Sequence, residues 1–126
     1  MISGIVTAER ETLVQVLVRG PNGREREVVA ILDTGFSEFL TLPSSTVAFL
    51  DLPELQSNEM TLADDTVVEV PVHKATILWD GAECGILLHR VDGTPLLGMG
   101  LVFGHVLTLE GKADGMMRLD AFSSGS

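Results

Sequence analysis

The chain is short of the residues that most often reveal a function. Its 126 residues include one cysteine, no tyrosine and one tryptophan. A lone thiol, Cys84, excludes an internal disulfide and fits a reducing compartment, so a cytoplasmic protein is expected. Aromatic residues make up 5% of the sequence, too few for a platform on which nucleic-acid bases could stack. Positive charge is scarce as well: 8 Lys and Arg stand against 18 Asp and Glu, a formal net charge of −10. Such a surface repels phosphate backbones and anionic lipid, so neither nucleic acid nor a membrane is expected as a partner, whereas a cationic peptide would be favoured. No apolar run reaches the length of a bilayer span, and the N-terminus lacks a basic region followed by an apolar one; a soluble, unexported protein is expected. The three histidines, His73, His89 and His105, lack ligand spacing and no His-Glu-x-x-His occurs, so no metal and no cofactor is expected. A serine or cysteine hydrolase is set aside for want of a Gly-x-Ser-x-Gly. Cys84, moreover, lies in an apolar stretch, where thiols pack more often than they react.

What the sequence does contain is β pattern. Hydrophobic residues at 45% and charged residues at 21% give a globular balance. The length suits one domain, over 1–121, with 122–126 as a flexible tail. Ile2 to Thr7 is β-prone, and Thr12 to Val18 is a better strand that runs into Gly20-Pro21-Asn22-Gly23, a dense turn signal. After the polar stretch Arg24 to Glu27, Val28 to Leu32 forms the second arm of that hairpin. Phe39 to Leu42 is a short strand stopped by Pro43, and Ser44 or Ser45 is placed to cap a short helix over Thr46 to Leu50. Met60 to Ala63 and Thr66 to Val70 flank a polar two-residue tip, Asp64-Asp65, as a protruding hairpin. Thr76 to Trp79 and Cys84 to Leu88 flank Asp80-Gly81 as another. Val106 to Leu109 and Met116 to Leu119 read as a closing pair. Many short strands with frequent turns make this an all-β fold, barrel-like or sandwich-like, with one or two short helices.

The stretch around which the rest is organised is Val28-Val29-Ala30-Ile31-Leu32-Asp33-Thr34-Gly35-Phe36-Ser37. A β-branched apolar run reads as a buried strand, and it ends abruptly in a carboxylate that needs hydrogen bonds or a partner to offset its burial. A bare Asp-Thr-Gly arises by chance in roughly a few per cent of chains this long and reads equally as a strand-to-turn exit. The order of the features around it is more specific. A hairpin feeds the turn, a polar-tipped hairpin follows at Asp64-Asp65, and an apolar-apolar-Gly element, Leu96-Leu97-Gly98, comes after that.

This order resembles the retroviral-type (retropepsin-like) aspartic proteases, and most closely their single-domain bacterial branch, over roughly Thr12 to Leu119. The resemblance implies a closed or partly open β-barrel protomer assembling as a symmetric homodimer through its catalytic turns and terminal strands. It also implies that Leu96, Leu97 and Gly98 pack behind the catalytic turn, with a short helix over Met99 to Phe103. Asp33-Thr34-Gly35-Phe36 with Leu40-Thr41-Leu42-Pro43 resembles the bacterial branch, where Phe replaces the small residue usual in viral members.

Aspartic proteolysis requires two carboxylates close enough to share one proton, because like charges about 3 Å apart cannot both ionise. This sequence holds a single Asp-Thr-Gly. A dyad then needs Asp33 from each subunit of a homodimer meeting at a two-fold axis. By the resemblance Asp33 is the catalytic carboxylate, Thr34 bonds the partner's backbone across the axis, and Gly35 permits close approach while its amide holds the carboxylate. Ser37 takes the position that bonds the outer carboxylate oxygen in many members; as bare sequence it reads equally as a turn serine. Phe36 and Ser37, with Ala63, Asp64, Asp65 and Thr66 of a flap hairpin, would contact an extended peptide substrate. The acidic tip departs from the glycine-rich flaps of viral members, and Asp65 falls where some turns need positive φ, which Asp tolerates less easily than Gly. The expected function is an aspartic endopeptidase. The alternative is a non-catalytic dimeric peptide-binding or oligomerisation module of the same fold, and a third reading is a monomer with separated half-sites.

Overall fold

A computed structural model describes residues 1–122. The expected tail, apart from Phe122, lies outside the described residues. In chain order the elements are β1 (Ile2–Val6), β2 (Thr12–Arg19), β3 (Glu25–Leu32), β4 (Leu40–Leu42), α1 (Ser44–Leu50) and β5 (Glu54–Thr61). They continue with β6 (Val67–Trp79), β7 (Ala82–Arg90), β8 (Leu96–Leu97), α2 (Met99–Val102), β9 (His105–Leu109) and β10 (Met116–Ala121). Among the described residues no helix is long and apolar enough to cross a membrane.

Alternation builds the first hairpin. Side chains along a strand point to opposite faces, so Val14, Val16 and Val18 share the inner face of β2 and are buried to 1% exposure or less, while Gln15 between them is exposed. Strand β3 pairs antiparallel with β2 from Leu13↔Ile31 to Arg19↔Glu25, which puts Val28 and Ala30 beside those valines. The polar residues Glu25, Arg26 and Glu27 belong to β3 itself, because a strand paired on a solvent-facing section needs no apolar side chains there.

The sheet runs β5-β6-β7-β4-β8-β3-β2-β1-β10-β9. A further pairing joins β2 to β6, Leu17↔Leu78 through Arg19↔Thr76, so six of the strands close on themselves around the core. Leu40, Leu42, Leu88 and Leu97 are fully buried within that ring, with Leu50 of α1 closing one end. The terminal strands pair inside one chain: β1 lies between β2 and β10, and β9 forms the outer edge.

Three expectations change. The two later hairpins share one long strand. β6 runs 13 residues through Pro71, pairing with β5 at one end and with β7 at the other. Proline lacks a ladder donor, and Pro71 sits where β6 is paired with β5 alone, so no central hydrogen bond is lost. The tip of the first of these hairpins is a three-residue loop. Asp65 N–H donates to the Leu62 carbonyl at 3.0 Å and Leu62 N–H to the Thr66 carbonyl at 2.8 Å, with Asp65 at φ 65° where glycine usually serves. At its base, His73 Nδ1–H donates to the Leu52 carbonyl at 3.0 Å, which anchors β6 under the start of β5.

The third change concerns α1, which begins at Ser44 and follows Pro43 with no side-chain cap from either serine. Instead Ser44 N–H donates to Asp92 Oδ1 at 2.8 Å, a cap supplied from 48 residues away. That amide, with the Ser44 side chain and the charge of Arg90 adding to it, holds the Asp92 carboxyl below its usual pKa. A carboxyl with a lowered folded pKa contributes stability above its unfolded pKa and loses it as pH falls through the folded value. Asp92→Ala is therefore expected to lower Tm near neutral pH, with the gap to wild type narrowing below about pH 4. Thermal unfolding over a pH series reads this directly, and a gap that persists unchanged at pH 3 would show that the carboxylate does not cap α1.

Candidate active site

Asp33 lies where β3 leaves the sheet. Parallel pairing of β3 with β8, Ile31↔Leu96 and Leu32↔Leu97, carries the chain to that point. Ile31 N–H donates to the Pro95 carbonyl at 2.8 Å and Asp33 N–H to the Leu97 carbonyl at 2.9 Å, so the last two steps before the turn are fixed by the segment behind it. The Asp33 side chain is half-buried, and its Oδ1 accepts the Gly35 N–H at 2.9 Å. Phe36 N–H donates to the Asp33 carbonyl at 3.1 Å and closes the turn. Thr34 and Gly35 are exposed at its tip, and Ser37 is exposed just beyond. Among the described residues no hydrogen bond joins Ser37 to the Asp33 carboxylate, whose second oxygen is left free for an outside partner.

Leu97 is fully buried behind the turn, and Gly98 follows in a space where only glycine fits. A Cβ there would lie 2.2 Å from the Glu38 carbonyl oxygen and 2.6 Å from that of Phe36. Close approach lets Gly98 N–H donate to the Phe39 carbonyl at 2.9 Å, Met99 N–H to Phe36 at 2.7 Å and Gly100 N–H to Glu38 at 3.0 Å. Leu96 N–H donates to Thr41 Oγ1 at 2.8 Å, tying β8 to β4 as well. The Asp33 turn is thus held from behind by Leu96 to Gly100, largely through backbone groups that side-chain identity hardly affects.

Beside the turn is a cleft of about 260 Å³. Gly35 to Glu38 form one wall, Asn58 to Thr61 of β5 form the other, and His89 of β7 lies between them. The hairpin therefore presents the arm of β5 to the cleft. Its tip residues Ala63, Asp64, Asp65 and Thr66 are all exposed beyond it, where Asp64 Oδ1 accepts the Thr66 N–H at 3.0 Å and is held in its ionised form by Thr66 hydrogen bonds. The Phe36 ring is partly buried and meets His89 edge-on, with centroids 6.1 Å apart and planes at 86°. His89 is 3% exposed, and its Nδ1 has no hydrogen-bond partner among the described residues. Burial pushes its pKa down, while the nearby Glu38 carboxylate works in the opposite direction.

Sequence reasoning did not single out Glu38, Asn58, Met60 or His89 as part of this cleft. The signal was weak: they come from three segments that only the tertiary fold brings together, and His89 has no local motif. Among the described residues, no three His, Cys, Asp or Glu side chains converge as a metal-binding group.

No protein-family model matches the sequence, and no curated protein matches it either. Solved structures do. The protease of EIAV, in complex with the inhibitor HBY-793, superposes with a TM-score of 0.58 at 19% identity, over 75% of this chain and 86% of that one. A retropepsin-like aspartic protease from Rickettsia conorii gives a TM-score of 0.62 at 17% identity, over 97% of this chain and 92% of that one. Likeness at such low identity shows the fold: the chain is retropepsin-like in architecture over most of its length.

Gly98 is a position where that architecture leaves no room for a side chain. Gly98→Ala forces the Phe36–Glu38 backbone away from α2 and is expected to destabilise the chain by about 1–3 kcal/mol, the usual range for overpacking. Urea denaturation measures the loss; a midpoint equal to wild type would mean that the turn can yield without penalty.

Proposed function

We propose that this retropepsin-like chain is an aspartic endopeptidase that works as a homodimer and hydrolyses extended peptides with no metal or cofactor. The observation that carries the reading is the Asp33 turn: a half-buried carboxylate, one oxygen held by the Gly35 amide and the other free, on an exposed tip in this fold. One such turn per chain supplies half a dyad, and a second copy supplies the other half. The exposed Thr34 is available to bond the partner's backbone across the axis, and Ser37 to steady the outer carboxylate oxygen once the turns meet. A cytoplasmic setting accords with the free thiol of Cys84.

In the dimer, two Asp33 carboxyls share one proton, and their two apparent pKa values belong to the pair. The ionised member takes a proton from water as the water oxygen attacks the scissile carbonyl carbon. The protonated member donates to the carbonyl oxygen, giving a tetrahedral diol. Collapse of the diol breaks the C–N bond, and a proton passes from the dyad to the leaving amine. The β5–β6 hairpin serves as the flap, binding the peptide as an added strand and excluding water from the dyad. Phe36 and Ser37 form the floor beneath the peptide, and Ala63 to Thr66 reach over it. Since no tyrosine is present, those contacts come mainly from backbone groups.

Asp33→Asn removes the only side chain that can hold the shared proton. It is expected to leave fold and dimer intact and to lower peptide cleavage by about a thousandfold or more. Wild-type activity should be bell-shaped in pH on the acidic side, as one dyad proton must be present and the other absent. Cleavage of a randomised peptide pool, followed by mass spectrometry with wild type and variant in parallel, gives the readout; equal cleavage by the two would falsify the assignment. Sedimentation at several concentrations separates the remaining readings. A stable dimer that cleaves nothing is a binding module, and a monomer that gains activity only at high concentration keeps its half-sites apart.

A further inference from the structure

We propose that the cleft between Ser37–Glu38 and β5 receives a cationic side chain, Arg or Lys, of the bound peptide, so that the enzyme selects basic residues at one position beside the scissile bond. This rests on the peptidase reading and names the substrate class of that same site. At about 260 Å³ the cleft falls short of the roughly 300–1,000 Å³ of small-molecule sites and suits one long side chain.

The polar groups that meet there ask for a donor. Glu38 is half-buried in the wall and forms no ion pair among the described residues. His89, 3% exposed, leaves Nδ1 without a hydrogen-bond partner. Burial favours the neutral imidazole, which has one acceptor nitrogen and one donor. Among the described residues no lysine or arginine lines the cleft, so none of its walls supplies a positive charge to Glu38. A guanidinium or ammonium brings that charge and several N–H donors for a charge-assisted bond to Glu38, with the neutral His89 ring as an uncharged wall beside it. An acidic side chain would meet Glu38 at close range and be repelled. The net charge of −10 works in the same direction at long range, drawing cationic peptides to the surface before they dock.

The test separates binding from catalysis. Peptide pools with one position fixed as Arg, Lys, Glu or citrulline, the neutral isostere of Arg, are titrated by fluorescence anisotropy against the Asp33→Asn protein. The same pools are then offered to wild type for cleavage. At one position the Arg pool should bind about tenfold more tightly than the citrulline pool, the order expected for one partly exposed charge-assisted pair, with Lys close to Arg and Glu weakest. Glu38→Gln in the Asp33→Asn background should bring the Arg-to-citrulline ratio to within about twofold. Circular dichroism of each variant confirms the fold. Equal binding of Arg and citrulline at every position, an unaltered ratio in Glu38→Gln, or no binding by any pool overturns the proposal. If wild type cleaves uncharged pools with no preference for Arg, the cation site falls and the peptidase stands. If Arg-selective binding holds while wild type cleaves nothing at any pH, the peptidase falls and the cation site stands.

Discussion

One hydrogen bond, from the Asp33 amide to the Leu97 carbonyl at 2.9 Å, governs the rest of the structure. It is the last rung of a short parallel ladder, and it fixes where β3 must stop and where its carboxylate must stand. Most of what surrounds the turn makes that rung obligatory. Gly98 allows the approach, α2 donates to the loop beyond the turn, and Thr41 pins the far side of β8. Because these contacts are mainly between backbone groups, they constrain conformation far more than composition. That accounts for a fold shared with proteins at 17–19% identity.

The same arrangement divides the molecule by the kind of information each part carries. The hairpin of β2 and β3 was legible because its pattern is local: three valines at every second position, then a dense turn signal, then an apolar run into Asp33. The apolar-apolar-Gly element was legible for another reason, since glycine is required where two backbones nearly touch. The arms Thr66 to Val70 and Thr76 to Trp79, read as separate strands, merge into one continuous strand through Pro71, because proline is excluded only where its missing N–H is needed. The cap of α1 escaped notice since Asp92 is 48 residues from Ser44, beyond any local window.

The cleft was the least legible part. Its walls come from the loop after the Asp33 turn, the arm of β5 and the end of β7, joined only when β6 folds back between its two partners. The turn around Asp65 shows the converse. Sequence indicated a position needing positive φ, and the structure places Asp65 at 65°, in a loop one residue longer than the polar pair suggested. His89 had no pattern to mark it; its isolation became informative only when burial and the missing hydrogen-bond partner were seen together.

Strand β6 spans both the closed ring and the protruding hairpin, with the His73 ring anchored to Leu52 near its middle. A stiff member held at one end and free at the other behaves as a cantilever, bending most where support ends. The root of that arm lies between Val70 and His73, well away from the acidic tip, with Val70, Val72 and His73 buried and Pro71 half-buried. A mutation in this zone would disturb the arm that carries Asn58 to Thr61, and with it one wall of the cleft.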